Sequence, residues 1–247
     1  MIDLISLAAA GEVGGDFFKE RDSGSLPCQA KPNEVFCFDW ARENIDRFGT
    51  PTVQHFEMVV ISVLLGFAVA FALSLLAHRI RWLQPPLLAT TGILYTIPSI
   101  AAFFLLLPIT GLGRTTAIIA LAVYTLQIIY RNTILGLSNV PNSVKEAARG
   151  MGLTERQVLW RVELPLAVPE IVAGLRIAIV STVAIATLAV FIGGGGLGTQ
   201  IYGSGNLTFP TSIIIAAGIV ILMAMALDAI LLVAQRFLTP WLRVRTA

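Results

Sequence analysis

One stretch of this chain has a spacing suited to chemistry between proteins. Glu146-Ala147-Ala148 is followed after three residues by Gly152, and after nine more by Val162, Leu164 and Pro165. Read physically, it predicts two short helices. Ser143 precedes Glu146 by three residues, the pattern of a capping box. Val144, Ala147, Ala148 and Met151 then recur at the period of one apolar helical face. Gly152 is the expected stop, because glycine accepts the left-handed backbone that ends many helices. Thr154 and Gln157 form a second capping box. Val158, Leu159 and Val162 line one side of the second helix, and Pro165 is expected to end it, since the residue before proline avoids the α region. Such helices either insert an apolar face into a partner's groove or fold back on their own chain.

Bond-making chemistry finds no support elsewhere. The chain has two histidines, His55 and His78, and no H-E-x-x-H, so neither a metal site nor a Ser-His arrangement is expected. There is no G-x-x-x-x-G-K-[ST], and the Gly193–Gly198 run lacks the lysine that would hold phosphate. The chain therefore offers no phosphate loop of its own, and an intramembrane enzyme is disfavoured. No basic run suits nucleic acid.

The elements that must position the loop are membrane spans. Charged residues are 13% of the chain, about half the share of an ordinary soluble domain, and mean hydropathy is +0.80. Five uncharged or nearly uncharged runs stand out: Met58–Ala77, Leu87–Gly113, Thr115–Leu137, Leu166–Ile192 and Thr211–Phe237. A run of about 20 residues crosses a bilayer core of about 30 Å. Pro98 and Pro108 are expected to kink or end the second span unless neighbours satisfy the freed carbonyls. The predicted architecture is all-α, with five transmembrane helices.

Five spans put the termini on opposite sides, and basic residues orient them. Arg79, Arg81, Lys145, Arg149, Arg156, Arg161, Arg236, Arg243 and Arg245 share one set of flanks, and Arg42, Arg47 and Arg114 the other. The loop 138–165 and the C-terminus are thus expected in the cytoplasm, and the N-terminus outside. Residues 1–50 hold nine acidic and five basic side chains, a net of −4, and form an acidic extracytoplasmic tail. Met1–Ala10 lacks the basic flank of a secretory signal. Cys28 and Cys37 both lie in the tail. They form one clip if it faces an oxidising compartment, and otherwise remain two thiols.

With those residues in place, the loop resembles the EAA loop of ABC importer permeases: E-A-A, three residues, G, nine residues, I-x-L-P. Only Val162 departs, standing for isoleucine. The resemblance implies a type I ABC importer permease fold over residues 51–245 in a bacterial inner membrane. It also implies that Glu146, Ala147, Ala148, Gly152, Val162, Leu164 and Pro165 dock on an ATPase subunit. It further implies a pair of ATPase subunits that bind ATP and magnesium, a second permease subunit, identical or related, and an extracytoplasmic substrate-binding protein. Tyr95-Thr-Ile-Pro-Ser-Ile-Ala101 and Arg131-Asn-Thr133 are similar to the osmoprotectant branch, which imports glycine betaine, choline, carnitine or proline betaine. The Gly193–Gly198 run occurs there and in methionine permeases, so methionine or another small solute is the alternative. A stand-alone channel is the alternative of another class.

Several residues keep two readings. Gly193, Gly194, Gly195 and Gly196 form either a flexible gate or a turn where bare backbone packs closely. Asp228, within an apolar span, either lines the pathway or a helix contact, or else anchors at the interface or makes a structural pair with Arg236. Arg131, Glu170 and Arg176 are expected to snorkel to the membrane surface. Tyr95, Phe103, Tyr124, Tyr130 and Phe191 offer faces to a quaternary amine, although packing is their commoner use.

Overall fold

The computed structural model describes residues 36–202 and 210–241, and no strand occurs among them. Cys28, Arg243, Arg245 and most of the acidic tail lie outside the described residues. The helices are α1 (Phe38–Asn44), α2 (Gly49–Arg79), α3 (Gln84–Thr96), α4 (Ser99–Thr110), α5 (Arg114–Ser138), α6 (Asn142–Gly150), α7 (Glu155–Val158), α8 (Leu164–Ala186), α9 (Gly198–Tyr202) and α10 (Pro210–Leu238). Four helical stretches are long and apolar enough to cross a membrane, ending at Arg79, Ser138, Ile192 and Leu238, and α3 with α4 forms a bent pair.

The second span is broken rather than kinked, and the break falls at Pro98. Ile97 leaves the helical region at ψ 127°, as the residue before proline must, and the two halves meet at 99°. The Tyr124 hydroxyl donates to the Ile97 carbonyl that the break frees. Pro108 is carried inside α4, which runs on to Thr110.

α5 is central, packed on α2, α3, α4 and α8. Lipid gives helices little hydrophobic drive to associate, so close fit must hold them. Gly66 shows that fit: a Cβ there would lie 1.7 Å from Thr125 Oγ1. The largest core joins Met58, Val59 and Val63 of α2 with Phe103, Leu121, Val183 and Ile192. At one end Cys37, disulfide-bonded, donates its backbone N–H to Thr211 Oγ1 at 3.0 Å and so ties the chain before α1 to α10.

Candidate coupling loop and membrane site

The loop is two helices hinged at glycine, as its residues predict, but its caps differ. α6 begins at Asn142 behind Pro141, with no side-chain cap. Ser143 lies two residues past the capping position at Pro141, so the first expected box does not form, and the exposed Glu146 side chain has no hydrogen bond or ion pair among the described residues. The C-terminus closes on Gly152, φ +83°. There Gly152 N–H donates to Arg149 O at 2.9 Å and Leu153 N–H to Ala148 O at 3.2 Å, the paired bonds of a Schellman end. The second box does form, with Thr154 and Gln157 capping each other.

Pro165 does not end the second helix. A π-helical turn, Leu159–Glu163, precedes it, and Leu164 N–H donates back to Leu159 O. A proline in a regular helix clashes with the carbonyl four residues before it. The wider π turn re-aims the carbonyls there, so helix runs without a break from Glu155 to Ile192.

The sequence reading missed the residue that braces this loop. Glu163, 5% exposed, accepts from His78 Nε2 at 2.5 Å and pairs with Lys145 Nζ at 3.4 Å. One carboxylate therefore ties α6 and the π turn to the end of α2. The available signal was its register: it stands four residues after Leu159 and five after Val158, on the side that faces the core. Nearer the turn, Arg149 holds Glu155 through two hydrogen bonds of 2.7 and 3.1 Å across Gly152. That guanidinium keeps the Glu155 carboxyl below the usual carboxylate range, and the carboxylate raises the Arg149 guanidinium in turn. Beside the loop lies a cavity of about 1000 Å³ whose walls include Arg79, Arg81, Lys145, Arg149 and Arg156.

The two helices divide their apolar residues differently. Val158 is fully buried and Leu164 is 8% exposed, and on α6 only Ala148 is buried. Ala147 is exposed, as are Val144 and Met151, the latter at 74%. Of the apolar face of α6, the chain covers Ala148 and leaves Val144, Ala147 and Met151 exposed.

At the opposite end Gly193 to Gly196 form a tight turn. Gly193, Gly195 and Gly196 have φ between +72° and +78°. A Cβ on Gly196 would lie 2.8 Å from Met58 Cε, and one on Gly194 would lie 2.9 Å from Ala189 Cβ and Ala189 O. Gln54 Oε1 accepts the Gly196 N–H at 3.2 Å. Beneath it the fully buried His55 donates from Nε2 to Val183 O at 3.0 Å. These contacts favour the packed turn. Tyr95 meets Tyr124 edge to face with ring centroids 5.9 Å apart, beside the break at Pro98. Phe103 and Tyr130 are each 1% exposed and serve as core.

Asp228 and Arg176 correct two expectations. Both Asp228 oxygens accept from Arg176, Oδ1 from Nε at 2.7 Å and Oδ2 from Nη2 at 2.8 Å. The expected partner was Arg236, and Arg176 was expected to snorkel. A bidentate partner on the facing helix satisfies the guanidinium better than a stretched route to the surface does.

The family profile described as "Binding-protein-dependent transport system inner membrane component" matches residues 58–244. The choline transport system permease protein OpuBB of Bacillus subtilis (strain 168) is 39% identical over 189 residues, covering 76% of this chain and 87% of that protein. The glycine betaine/carnitine/choline transport system permease protein OpuCD of the same strain is 39% identical over 188 residues, covering 76% and 82%. Among solved structures, the MetNI methionine ABC transporter in an inward-facing conformation superposes with a TM-score of 0.69 at 23% identity, covering 78% of this chain and 96% of that one. An all-helical membrane chain with this profile over most of its length belongs to the binding-protein-dependent transport system inner membrane components, the permease subunits of ABC importers.

Proposed function

We propose that this permease passes a compatible solute (glycine betaine, choline, carnitine or proline betaine) into the cytoplasm, driven by a separate pair of ATPase subunits docked on the loop 138–165. The observation that carries the coupling is the uncovered face of α6. Val144, Ala147 and Met151 point away from the chain, while Glu163 fixes the loop to α2 and α8 from behind. A helix held firmly on one side and apolar on the other is built to be pushed. Because helix continues from Glu155 to Ile192, displacement of the loop is carried into a span rather than absorbed at a joint.

The solute class is supported by the names of the relatives, which transport choline, glycine betaine and carnitine. The likeness to the methionine transporter speaks to fold alone. The basic flanks support a cytoplasmic loop, and the disulfide of Cys37 supports an N-terminal region in an oxidising compartment. The acidic tail then lies on the side where the binding protein docks. ATP closes the ATPase pair because it binds that conformation better. The loops then draw together and tip the spans of two permease subunits between inward- and outward-facing states. ATP and magnesium reside on the partner, and the permease does no bond-breaking chemistry of its own.

The experiment is ATP-driven uptake of labelled glycine betaine and choline by the complex reconstituted in proteoliposomes, with the native chain and with Ala147→Lys. Ala147 is exposed in this chain, so a lysine there leaves the permease folded. The expected result is uptake by the native complex and loss of both uptake and bound ATPase in the variant. Full uptake in the variant refutes the docking role. Methionine uptake in place of betaine and choline reassigns the solute.

A further inference from the structure

One ion pair inside the spans has no part in the coupling described above. Arg176 lies twelve residues into α8, and Asp228 lies ten residues before the end of α10. At 1.5 Å per residue they stand about 18 and 15 Å from the Leu164 and Leu238 ends of their helices, near the middle of a bilayer core about 30 Å thick. Substrate sites in secondary transporters commonly lie at that depth. The pair is not enclosed by its own chain, since the side chains are 29% and 32% exposed. Charged groups at that depth face a bundle interior or a water-filled path, not hydrocarbon. The two hydrogen bonds between them leave three guanidinium N–H groups and the second lone pair of each carboxylate oxygen unused. An open donor fork and an open acceptor thus stand side by side, with opposite charge.

We propose that Arg176 and Asp228 form a transit site for a zwitterionic quaternary amine. Arg176 takes the solute's carboxylate, Asp228 faces its quaternary ammonium, and the two side chains part as the solute enters and rejoin as it leaves. The proposal rests on the transport reading above and adds the site. A quaternary ammonium has no N–H, so it calls for a fixed negative charge rather than a hydrogen-bond acceptor, and Asp228 provides one. The ion pair competes with the solute for both groups, which keeps binding weak and favours release. Choline has no carboxylate and engages Asp228 alone, so glycine betaine and choline report on the two residues separately.

The test is ATP-driven uptake of each solute, below saturation, by the full reconstituted complex carrying Arg176→Gln, or Arg176→Gln with Asp228→Asn. Retention of the ATPase subunits on purification reports assembly. Taking each variant relative to the native complex removes the binding protein's own preference. Arg176→Gln is expected to lower glycine betaine uptake at least tenfold and choline uptake less than threefold. The neutral pair, which can still hydrogen-bond between the helices, is expected to assemble and lose both. A native betaine-to-choline ratio in Arg176→Gln, or sustained uptake by the neutral pair, marks a helix lock and overturns the site. If neither variant assembles and the reversed pair Arg176→Asp with Asp228→Arg restores both assembly and the native ratio, the site is likewise overturned. A native complex that imports neither solute overturns the transport reading itself.

Discussion

Replacing Gly152 separates a backbone cost from a docking cost, because the glycine sits at φ +83° with nothing within 4 Å of where a Cβ would lie. In the permease alone, alanine at this position meets no neighbour, and its cost is the strain of a left-handed backbone, about 1–2 kcal/mol. For a chain of this length that corresponds to a fall in Tm of roughly 2–8 °C. Aspartate tolerates this backbone somewhat better, so Gly152→Asp should be no less stable than Gly152→Ala in the isolated permease. Docking ranks them the other way. A turn pressed against an ATPase groove accepts a methyl group more readily than an unpaired carboxylate, whose burial is expensive. The measurements are the Tm of each purified permease, the ATPase retained on it, and ATP-driven glycine betaine uptake. Gly152→Ala should keep a measurable fraction of uptake and Gly152→Asp should lose nearly all of it, despite equal or better stability. If uptake instead follows Tm in both variants, the turn is structural and the docking role fails.

Glu163→Gln leaves Lys145, 12% exposed at its side chain, without its counter-charge, so the complex should lose about 1–3 kcal/mol and uptake should fall with it. An unchanged Tm would show that the loop is braced by packing alone. Tyr124→Phe removes the donor to the Ile97 carbonyl, and a partly buried carbonyl left unpaired should lower stability by up to about 1–3 kcal/mol. Denaturation of the two proteins in the same detergent compares them, and equal midpoints would mean that another donor serves the break. For Glu155 the sign follows from its lowered pKa. A carboxyl favoured in its charged form stabilises the fold at neutral pH, and the contribution fades as pH falls below the ordinary carboxylate range and through its own lowered value. The Tm of native protein should exceed that of Glu155→Gln by a small margin at neutral pH and converge with it in acid, while a gap that widens in acid would contradict the pairing.

Composition alone determined that this chain crosses a membrane, because runs without charge near 20 residues long have no other stable home. Spacing alone marked the loop 138–165 as two short helices, and its glycine stop and second capping box were legible because both depend on residues within one turn of each other. The pairings that sequence left open or misplaced depend on residues far apart in the chain. The partner of Asp228 proved to be Arg176, 52 positions away, because the α8–α10 packing decides which charges meet across a low-dielectric gap. The brace at Glu163 needed His78, 85 positions away, and no local pattern announces that meeting. Pro165 read as a stop by its own chemistry, yet a π turn before it let the helix continue. The break at Pro98 came from proline itself, but the hydroxyl that satisfies its freed carbonyl belongs to α5. Local chemistry sets where helices start, bend and stop. The folded bundle decides which charged and polar groups find partners, and those pairings tie the loop to the spans.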